Sequence, residues 1–217
     1  MTFDLFDALG DAEPALEPLA DGAMVLRGFA RPMQDELLAD VHVVIATAPL
    51  RHLVTPGGLR MSVAMTNCGV LGWVSDRRGY RYDRVDPERG VPWPLMPASF
   101  VRLAAQAASR AGFEGFQPDA CLINRYEPGA KLSLHQDRDE RDLGAPLVSV
   151  SLGLPAIFVF GGTRRADKTR RALLRHGDVV VWGGPSRLHF HGVLPLADGE
   201  HARLGRQRIN LTFRRAG

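Results

Sequence analysis

The sequence predicts an α+β protein with a double-stranded β-helix (jelly-roll) core and N-terminal helices packed outside the sheets. Apolar residues at helical spacing lie mainly before Gly112, whereas short segments broken by Gly and Pro follow it. A third observation is the stretch 131–137, Lys-Leu-Ser-Leu-His-Gln-Asp, which as a strand places alternate polar side chains on one face.

The helical half comes first in the chain. A short strand is expected at 23–29, followed by a helix whose first turn holds Pro32, because Pro suits that position. Another strand is expected at 61–65. A second helix begins at Pro97 and stops at Gly112, with an alanine-rich apolar side that is typical of packing on a core.

The second half predicts eight short strands. Frequent Gly and Pro breaks between them favour a jelly-roll double sheet. We expect a loose lead-in over 1–21 and a single domain over 22–217, with the jelly-roll core at 119–215. The expected strands are 119–126, 131–137, 147–153, 156–160, 170–175, 178–183, 187–193 and 206–214.

The composition is that of an ordinary soluble globular protein, with 217 residues, 45% hydrophobic and 24% charged. Cys68 and Cys121 match no zinc spacing and indicate a reduced, cytoplasmic protein. No signal peptide is expected, and no apolar run approaches the roughly 18 residues of a membrane span. A net charge of +3 permits a polyanionic partner without requiring one, and a monomer is expected.

Two segments carry features that suit nucleic acid. Segment 73–93 interleaves aromatic and arginine side chains, which suit stacking on bases and contact with phosphates; the alternative is a hairpin packed onto the core. Segment 163–176 holds seven basic residues against Asp167, which favours a phosphate-backbone patch over an ordinary solvated loop. The aromatics of 73–93 are Trp73, Tyr80, Tyr82 and Trp93, and its arginines are Arg77, Arg78, Arg81, Arg84 and Arg89.

A histidine and a carboxylate two positions apart, His135 and Asp137, would share a strand face and supply two ligands of a 2-His-1-carboxylate iron site. The third ligand needs another strand, and both His189 and His191 qualify by spacing alone. The remaining histidines are expected in a helix or in loops, away from the site: His42, His52, His176 and His201.

The last predicted strand alternates polar and apolar side chains. Arg208, Asn210, Thr212 and Arg214 share one face. Buried in a sheet interior, two arginines would need a partner, and arginine holds carboxylates bidentately, so this face could bracket a short dicarboxylate. The alternative is that the face is exposed to solvent.

Taken together, these features resemble the 2-oxoglutarate oxygenases and, more narrowly, the bacterial AlkB nucleic-acid demethylases. The resemblance covers nearly the whole chain, from about residue 13 to residue 216. Its most specific motifs are MSVAMTNC at 61–68, DACLINRY at 119–126, PGAKLSLHQD at 128–137 and RINLTFR at 208–214.

The resemblance implies a role for each matching residue. His135, Asp137 and His191 would ligate Fe(II), although His189 stands where the family more often has an aromatic residue. Arg208 would grip the distal carboxylate of 2-oxoglutarate, lined further by Asn124, Tyr126, Asn210 and Arg214. Trp73 would stack on a flipped base opposite the ring of His135. The positions matching contacts to the nucleotide or its phosphates are Tyr80, Arg81, Tyr82, Asp139 and Arg165.

The implied activity is oxidative demethylation of N-methylated bases in DNA, single-stranded or duplex, with RNA left open. It would use Fe(II), 2-oxoglutarate and O2, with 73–93 as the nucleotide-recognition segment. Three alternatives share part of the pattern: a 2-oxoglutarate oxygenase acting on a protein or small molecule, a non-catalytic jelly-roll that binds nucleic acid, and a cupin-like zinc or manganese protein.

Overall fold

Two antiparallel sheets of eight and four strands, with a separate two-stranded hairpin, make up this computed structural model, which describes residues 15–217. The helices are α1 (Gln34–Thr47) and α2 (Ala98–Arg110), and 3-10 turns cover Arg31–Met33 and Gly184–Ser186. The strands are β1 (Leu16–Ala20), β2 (Ala23–Leu26), β3 (Arg51–Val54), β4 (Arg60–Gly69), β5 (Gly72–Asp76), β6 (Gly79–Asp83), β7 (Ala120–Tyr126), β8 (Leu132–His135), β9 (Leu147–Gly153), β10 (Ala156–Phe160), β11 (Arg170–Leu174), β12 (Val179–Trp182), β13 (His191–Val193) and β14 (Arg208–Arg214).

The eight strands predicted after Gly112 are all present. They divide equally, with β12-β9-β14-β7 at the centre of the larger sheet and β11-β10-β13-β8 as the smaller sheet. The larger sheet is extended by β1 and β2 on one side and by β4 and β3 on the other. This two-sheet antiparallel arrangement is the one expected of a jelly-roll.

Each face of the larger sheet supports a different layer of the core. Both helices pack on one face, where Phe100 of α2 meets Phe213 of β14 edge to face with ring centroids 5.8 Å apart. On the other face Trp182 packs with Phe158 and Phe160 of the smaller sheet, so this layer lies between the sheets. Burying each such aromatic side chain contributes about 1.5–3 kcal/mol, and the two layers hold β14 rigidly between them.

The predicted loose lead-in is wrong for Leu16–Ala20, which forms β1. This strand pairs antiparallel with β2 at the edge of the larger sheet, with Leu16 opposite Leu26. The strand pattern of residues 16–20 is weak because Glu17 and Pro18 interrupt the apolar residues. The segment is a strand because β2 pairs with it. Residues 1–14 of the predicted lead-in lie outside the described residues.

Two predicted strands are shorter than expected. The strand predicted at 131–137 ends at His135, and the one predicted at 187–193 begins only at His191, because these residues close the ladder between β8 and β13. Pro185 lies in the preceding 3-10 turn and cannot donate to a sheet. His52, expected in a loop, lies in β3. Within residues 15–217, no helix has the length and apolar character needed to cross a bilayer.

Candidate metal and co-substrate site

The short pairing of β8 with β13 brings the predicted metal ligands together. His135 and His191 are register partners with ring centroids 4.4 Å apart, and Asp137 follows two residues beyond His135. Oδ1 of Asp137 lies 3.7 Å from Nε2 of His135 and 4.0 Å from Nε2 of His191. Within residues 15–217 this is the only group of three or more such donors close enough to share one ion.

Each imidazole of this metal cluster has its other nitrogen occupied by the backbone. Nδ1–H of His135 donates to the carbonyl of Ser133 at 2.8 Å, and Nδ1–H of His191 donates to the carbonyl of His189 at 3.0 Å. A carbonyl only accepts, so Nε2 of each ring carries the lone pair that a metal needs. His189 packs its ring on Phe160 instead, and lies outside the metal cluster.

The electrostatics of the metal cluster favour a bound cation. Burial, followed by the charge of His135, lowers the pKa of His191 to about 4, which keeps this ring neutral at physiological pH. Burial alone would raise the pKa of Asp137, but the Arg214 guanidinium and then the two imidazoles outweigh it and hold that pKa below its usual range. Neutral imidazoles and a carboxylate are the protonation states that ligate a metal.

The polar face of β14 points into the sheet interior, which agrees with the prediction of a buried face and not with the solvent-exposed alternative. Arg208 is 1% exposed; its Nη2 donates to Oγ of Ser151 at 2.9 Å, and its guanidinium lies over the ring of Tyr126 at 4.9 Å. Within the described part of the chain its Nε and Nη1 have no hydrogen-bond partner, and burial lowers its pKa. A buried guanidinium with two unsatisfied nitrogens is costly unless a carboxylate completes it, so the residues present fit a dicarboxylate co-substrate.

One cavity of about 790 Å³ connects the metal cluster, Arg208 and four of the predicted recognition residues. Of the other co-substrate residues, Asn124 Oδ1 and Arg214 Nη1 have no hydrogen-bond partner among residues 15–217. The cavity is lined by every residue predicted for the metal and the co-substrate and by four predicted for the nucleotide: Asn124, Tyr126, His135, Asp137, His191, Arg208, Asn210 and Arg214, with Trp73, Tyr80, Asp139 and Arg165.

Segment 73–93 forms the hairpin of the alternative interpretation, with β5 and β6 paired and Trp93 only 4% exposed. Trp73 stacks on Tyr80 with ring centroids 5.6 Å apart and donates from Nε1 to Asp139 at 2.9 Å. The side-chain amide of Asn67 holds the Trp73 backbone through two hydrogen bonds of 3.0 Å. An aromatic surface is therefore fixed at the cavity even though the segment is a hairpin.

Two predicted nucleotide contacts lie away from the cavity. Arg81 is ion-paired with Asp76 at 3.0 Å, and the hydroxyl of Tyr82 donates to Glu140 at 2.7 Å. Neither side chain lines the cavity. Both side chains are thus bonded within the protein, and their contact with the nucleotide stays a prediction.

Glu140 and Arg187 were not predicted from the sequence. Glu140 accepts from Tyr82 and from Arg187 at 3.1 Å, and lies 3.2 Å from Nε of Arg214. Arg187 also donates to the backbone carbonyl of Asp137 at 2.7 Å. Glu140 lies in a charged run, Arg-Asp-Glu-Arg, which resembles a solvated loop, so the sequence carries no signal of its burial.

Comparisons with known proteins agree with this site. A family model for the 2OG-Fe(II) oxygenase superfamily matches residues 22–214. The alpha-ketoglutarate-dependent dioxygenase AlkB of Escherichia coli (strain K12) is 60% identical over 98% of this chain and 99% of that protein. The nucleic acid dioxygenase ALKBH1 of Mus musculus is 36% identical over 60% of this chain and 34% of that protein. The solved structure of OsALKBH1 matches with a TM-score of 0.80 and 30% identity, covering 92% of this chain and 99% of that one.

An identity of 60% over 98% of the chain, together with the family-model match, assigns the chain to this family. The shared chemistry of that family is oxidation by Fe(II) and 2-oxoglutarate with O2, which matches a site with two imidazoles, a carboxylate and a buried guanidinium. The chain therefore belongs to the 2OG-Fe(II) oxygenase superfamily, in its AlkB family, and is an Fe(II)- and 2-oxoglutarate-dependent dioxygenase.

Proposed function

We propose that this enzyme repairs alkylated DNA, single-stranded or duplex, as a cytoplasmic monomer, by oxidative demethylation of N-methylated bases such as 1-methyladenine and 3-methylcytosine. One observation carries the proposal: a single cavity joins the metal cluster, the buried Arg208 guanidinium and the Trp73–Asp139 pair. The relative named nucleic acid dioxygenase supports nucleic acid as the substrate class.

The metal and the co-substrate would be held by separate groups. Nε2 of His135, Oδ1 of Asp137 and Nε2 of His191 would hold Fe(II), and the guanidinium of Arg208 would take the distal carboxylate of 2-oxoglutarate. When bound, Fe(II) with 2-oxoglutarate and O2 supplies the oxidation of the N-methyl group, which leaves as formaldehyde while 2-oxoglutarate becomes succinate and CO2. The remaining contacts to the co-substrate would come from Asn124, Tyr126, Asn210 and Arg214.

Base recognition would use the aromatic surface of the hairpin. Tyr80 covers one face of Trp73, so an incoming base would stack on the other face, with the ring of His135 opposite it. A methyl at N1 of adenine or N3 of cytosine blocks pairing and makes the base cationic, which lowers the cost of flipping it out of a duplex. The Asp139 carboxylate at the cavity would complement that charge.

The direct test is turnover of a methylated oligonucleotide. Enzyme loaded anaerobically with Fe(II) and 2-oxoglutarate is exposed to air with an oligonucleotide containing 1-methyladenine, as DNA and as RNA. Formaldehyde should be released, and the mass of the oligonucleotide should fall by one methylene unit. The His135→Ala variant is the control. Failure of the loaded wild-type enzyme to release formaldehyde or to change that mass would contradict the proposal.

A further inference from the structure

A second groove, the outer groove, adjoins the cavity on the far side of the smaller sheet. It encloses about 550 Å³ and shares Lys131, Ser133 and Arg165 with the lining of the cavity. β8 is an edge strand of that sheet, so the two spaces meet around a sheet edge. A polymer that places one unit in the cavity can therefore continue around this edge into the outer groove.

The floor of the outer groove is formed by the outward side chains of β10 and β11. Phe158, Phe160 and Ala172 point into the core between the sheets. Their neighbours Val159 and Arg171, which are register partners, therefore point to the opposite side and line the outer groove. Arg171 is exposed, and pairing with β10 fixes its backbone, so its side chain extends from a fixed point beside the outer groove.

The charge around the outer groove is one-sided. Among residues 15–217, its lining includes Lys131, Arg165 and Arg171 together with the hydroxyl of Thr169, and no acidic residue. Among the described residues, none of these three cations has an acidic partner. Elsewhere on the surface many arginines are paired, as Arg206 is with Asp198 at 2.7 Å. The outer groove therefore presents uncompensated positive charge next to the cavity.

The basic run at 163–176 is divided by the fold. Arg164 pairs with Asp167 at 3.0 Å, and Arg170 donates to the backbone carbonyl of Leu19 at 2.7 Å. Arg175 is exposed beyond the end of β11 and does not line the outer groove. Of the basic residues in this run, only Arg165 and Arg171 line the outer groove.

We infer that the outer groove binds the phosphodiester backbone of the nucleotides flanking the methylated base on the same strand. This rests on the proposed function, because the cavity must hold the base for its neighbours to reach the outer groove. Three cations and a hydroxyl suit successive phosphates, and a lining with cations and no acids among the described residues argues against a basic peptide as the ligand. Arg171 is the residue that extends the binding surface beyond the cavity.

The test compares a short and a long substrate in a variant whose substitution lies at an exposed position and leaves the fold intact. Arg171→Ala is measured against Arg175→Ala, which removes the same charge from the same segment outside the outer groove. A trinucleotide and a dodecamer, each with one 1-methyladenine, serve as substrates. Binding is followed by fluorescence anisotropy of labelled oligonucleotides over a salt series, and turnover by formaldehyde release.

Arg171→Ala should weaken binding of the dodecamer several-fold and raise its KM, with kcat unchanged. Its salt dependence, the slope of log K against log of salt concentration, should shrink by about 0.7 for each single-strand phosphate that the variant no longer neutralises. The trinucleotide should be bound and turned over as by wild type. The weakening should be confined to oligonucleotides extended on one side of the methylated base, because one groove accepts one flank.

The inference is overturned if Arg171→Ala and Arg175→Ala behave alike on the dodecamer, or if Arg171→Ala affects both substrates equally. Failure of the proposed function gives a different result, since loaded wild-type enzyme would then release no formaldehyde from either oligonucleotide. The anisotropy measurement needs no turnover, so binding along the outer groove is decided separately from demethylation.

Discussion

Arg214 donates from Nη2 and Nε to the same oxygen of Asp137, at 2.6 and 3.0 Å. Because Oδ2 is occupied in this way, Oδ1 is the oxygen turned toward the two imidazoles. Arg214 thus orients a metal ligand, in addition to its predicted contact with the co-substrate through the unpaired Nη1. The pairing also explains why the pKa of Arg214 is raised above its ordinary value despite burial, which lowers it.

Replacing Arg214 by Lys should weaken metal binding. Lysine keeps the charge but cannot place two N–H groups on one oxygen, and loss of a hydrogen-bond partner of a metal ligand typically lowers metal affinity about 10–100-fold. The measurement is an anaerobic titration with Co(II) or Fe(II). Arg215→Lys, at the exposed neighbouring position, is the matched control and should bind as wild type. Equal affinity in both variants would show that Arg214 does not position Asp137.

Replacing Arg208 by Met should separate co-substrate binding from stability. Wild-type Arg208 is a buried cation with two unpaired nitrogens, so its removal should not lower the free energy of unfolding of the protein without co-substrate. Affinity for 2-oxoglutarate should fall by about 2–5 kcal/mol, the cost of losing one partner of a buried charge pair. Thermal unfolding with Mn(II), with and without 2-oxoglutarate, tests both: stabilisation of the variant by 2-oxoglutarate equal to that of wild type would refute the role.

The Asp139→Asn variant should lose preference for cationic bases. Asparagine keeps an oxygen to accept the hydrogen bond from Trp73 but has no charge, so the aromatic surface stays in place. The ratio of kcat/KM for cationic 1-methyladenine to that for neutral 3-methylthymine should fall. An unchanged ratio would mean that the Asp139 carboxylate does not act on the charge of the base.

His176 should make stability depend on pH below neutrality. Burial, and then the charges of His201 and Arg31, lower its pKa from 6.5 to about 4, and its Nδ1 accepts the Gly153 N–H at 2.9 Å. The unfolded chain therefore takes up a proton first, so this stability is present above about pH 6.5 and is lost as the pH falls toward 4. The slope stays below the limit of about 1.36 kcal/mol per pH unit for one proton, since the ring is partly exposed.

Urea unfolding of the metal-free protein between pH 4 and 7 measures this dependence. The His176→Gln variant should show a shallower decline in the free energy of unfolding than wild type. His42→Gln, at an exposed position on α1, is the matched control and should follow the wild-type curve. If the free energy of unfolding of His176→Gln fell with pH in parallel with that of wild type, His176 would not be the cause of the pH dependence.

Much of the fold follows from local patterns. Alternation along 206–214 predicts that Arg208 and Arg214 share a face, and the structure buries that face with Ile209 and Phe213 packed on the other side. The eight strands after Gly112 could be predicted in the same way, because period-two alternation and Gly or Pro breaks depend only on residues that are neighbours in the sequence. β1 was missed because its pairing with β2, and not its own pattern, makes it a strand.

The sequence by itself determined the residue types of the site: His135 and Asp137 at strand spacing, a second histidine, and arginines on a later strand. Spacing along the chain left both His189 and His191 open, and the family resemblance favoured His191. The tertiary structure shows why, because the ladder between β8 and β13 places His191 opposite His135. Only it placed Glu140 in a buried ion network and Arg171 at the outer groove. Alternation is local, whereas burial and pairing of a charge depend on residues that are distant in the chain.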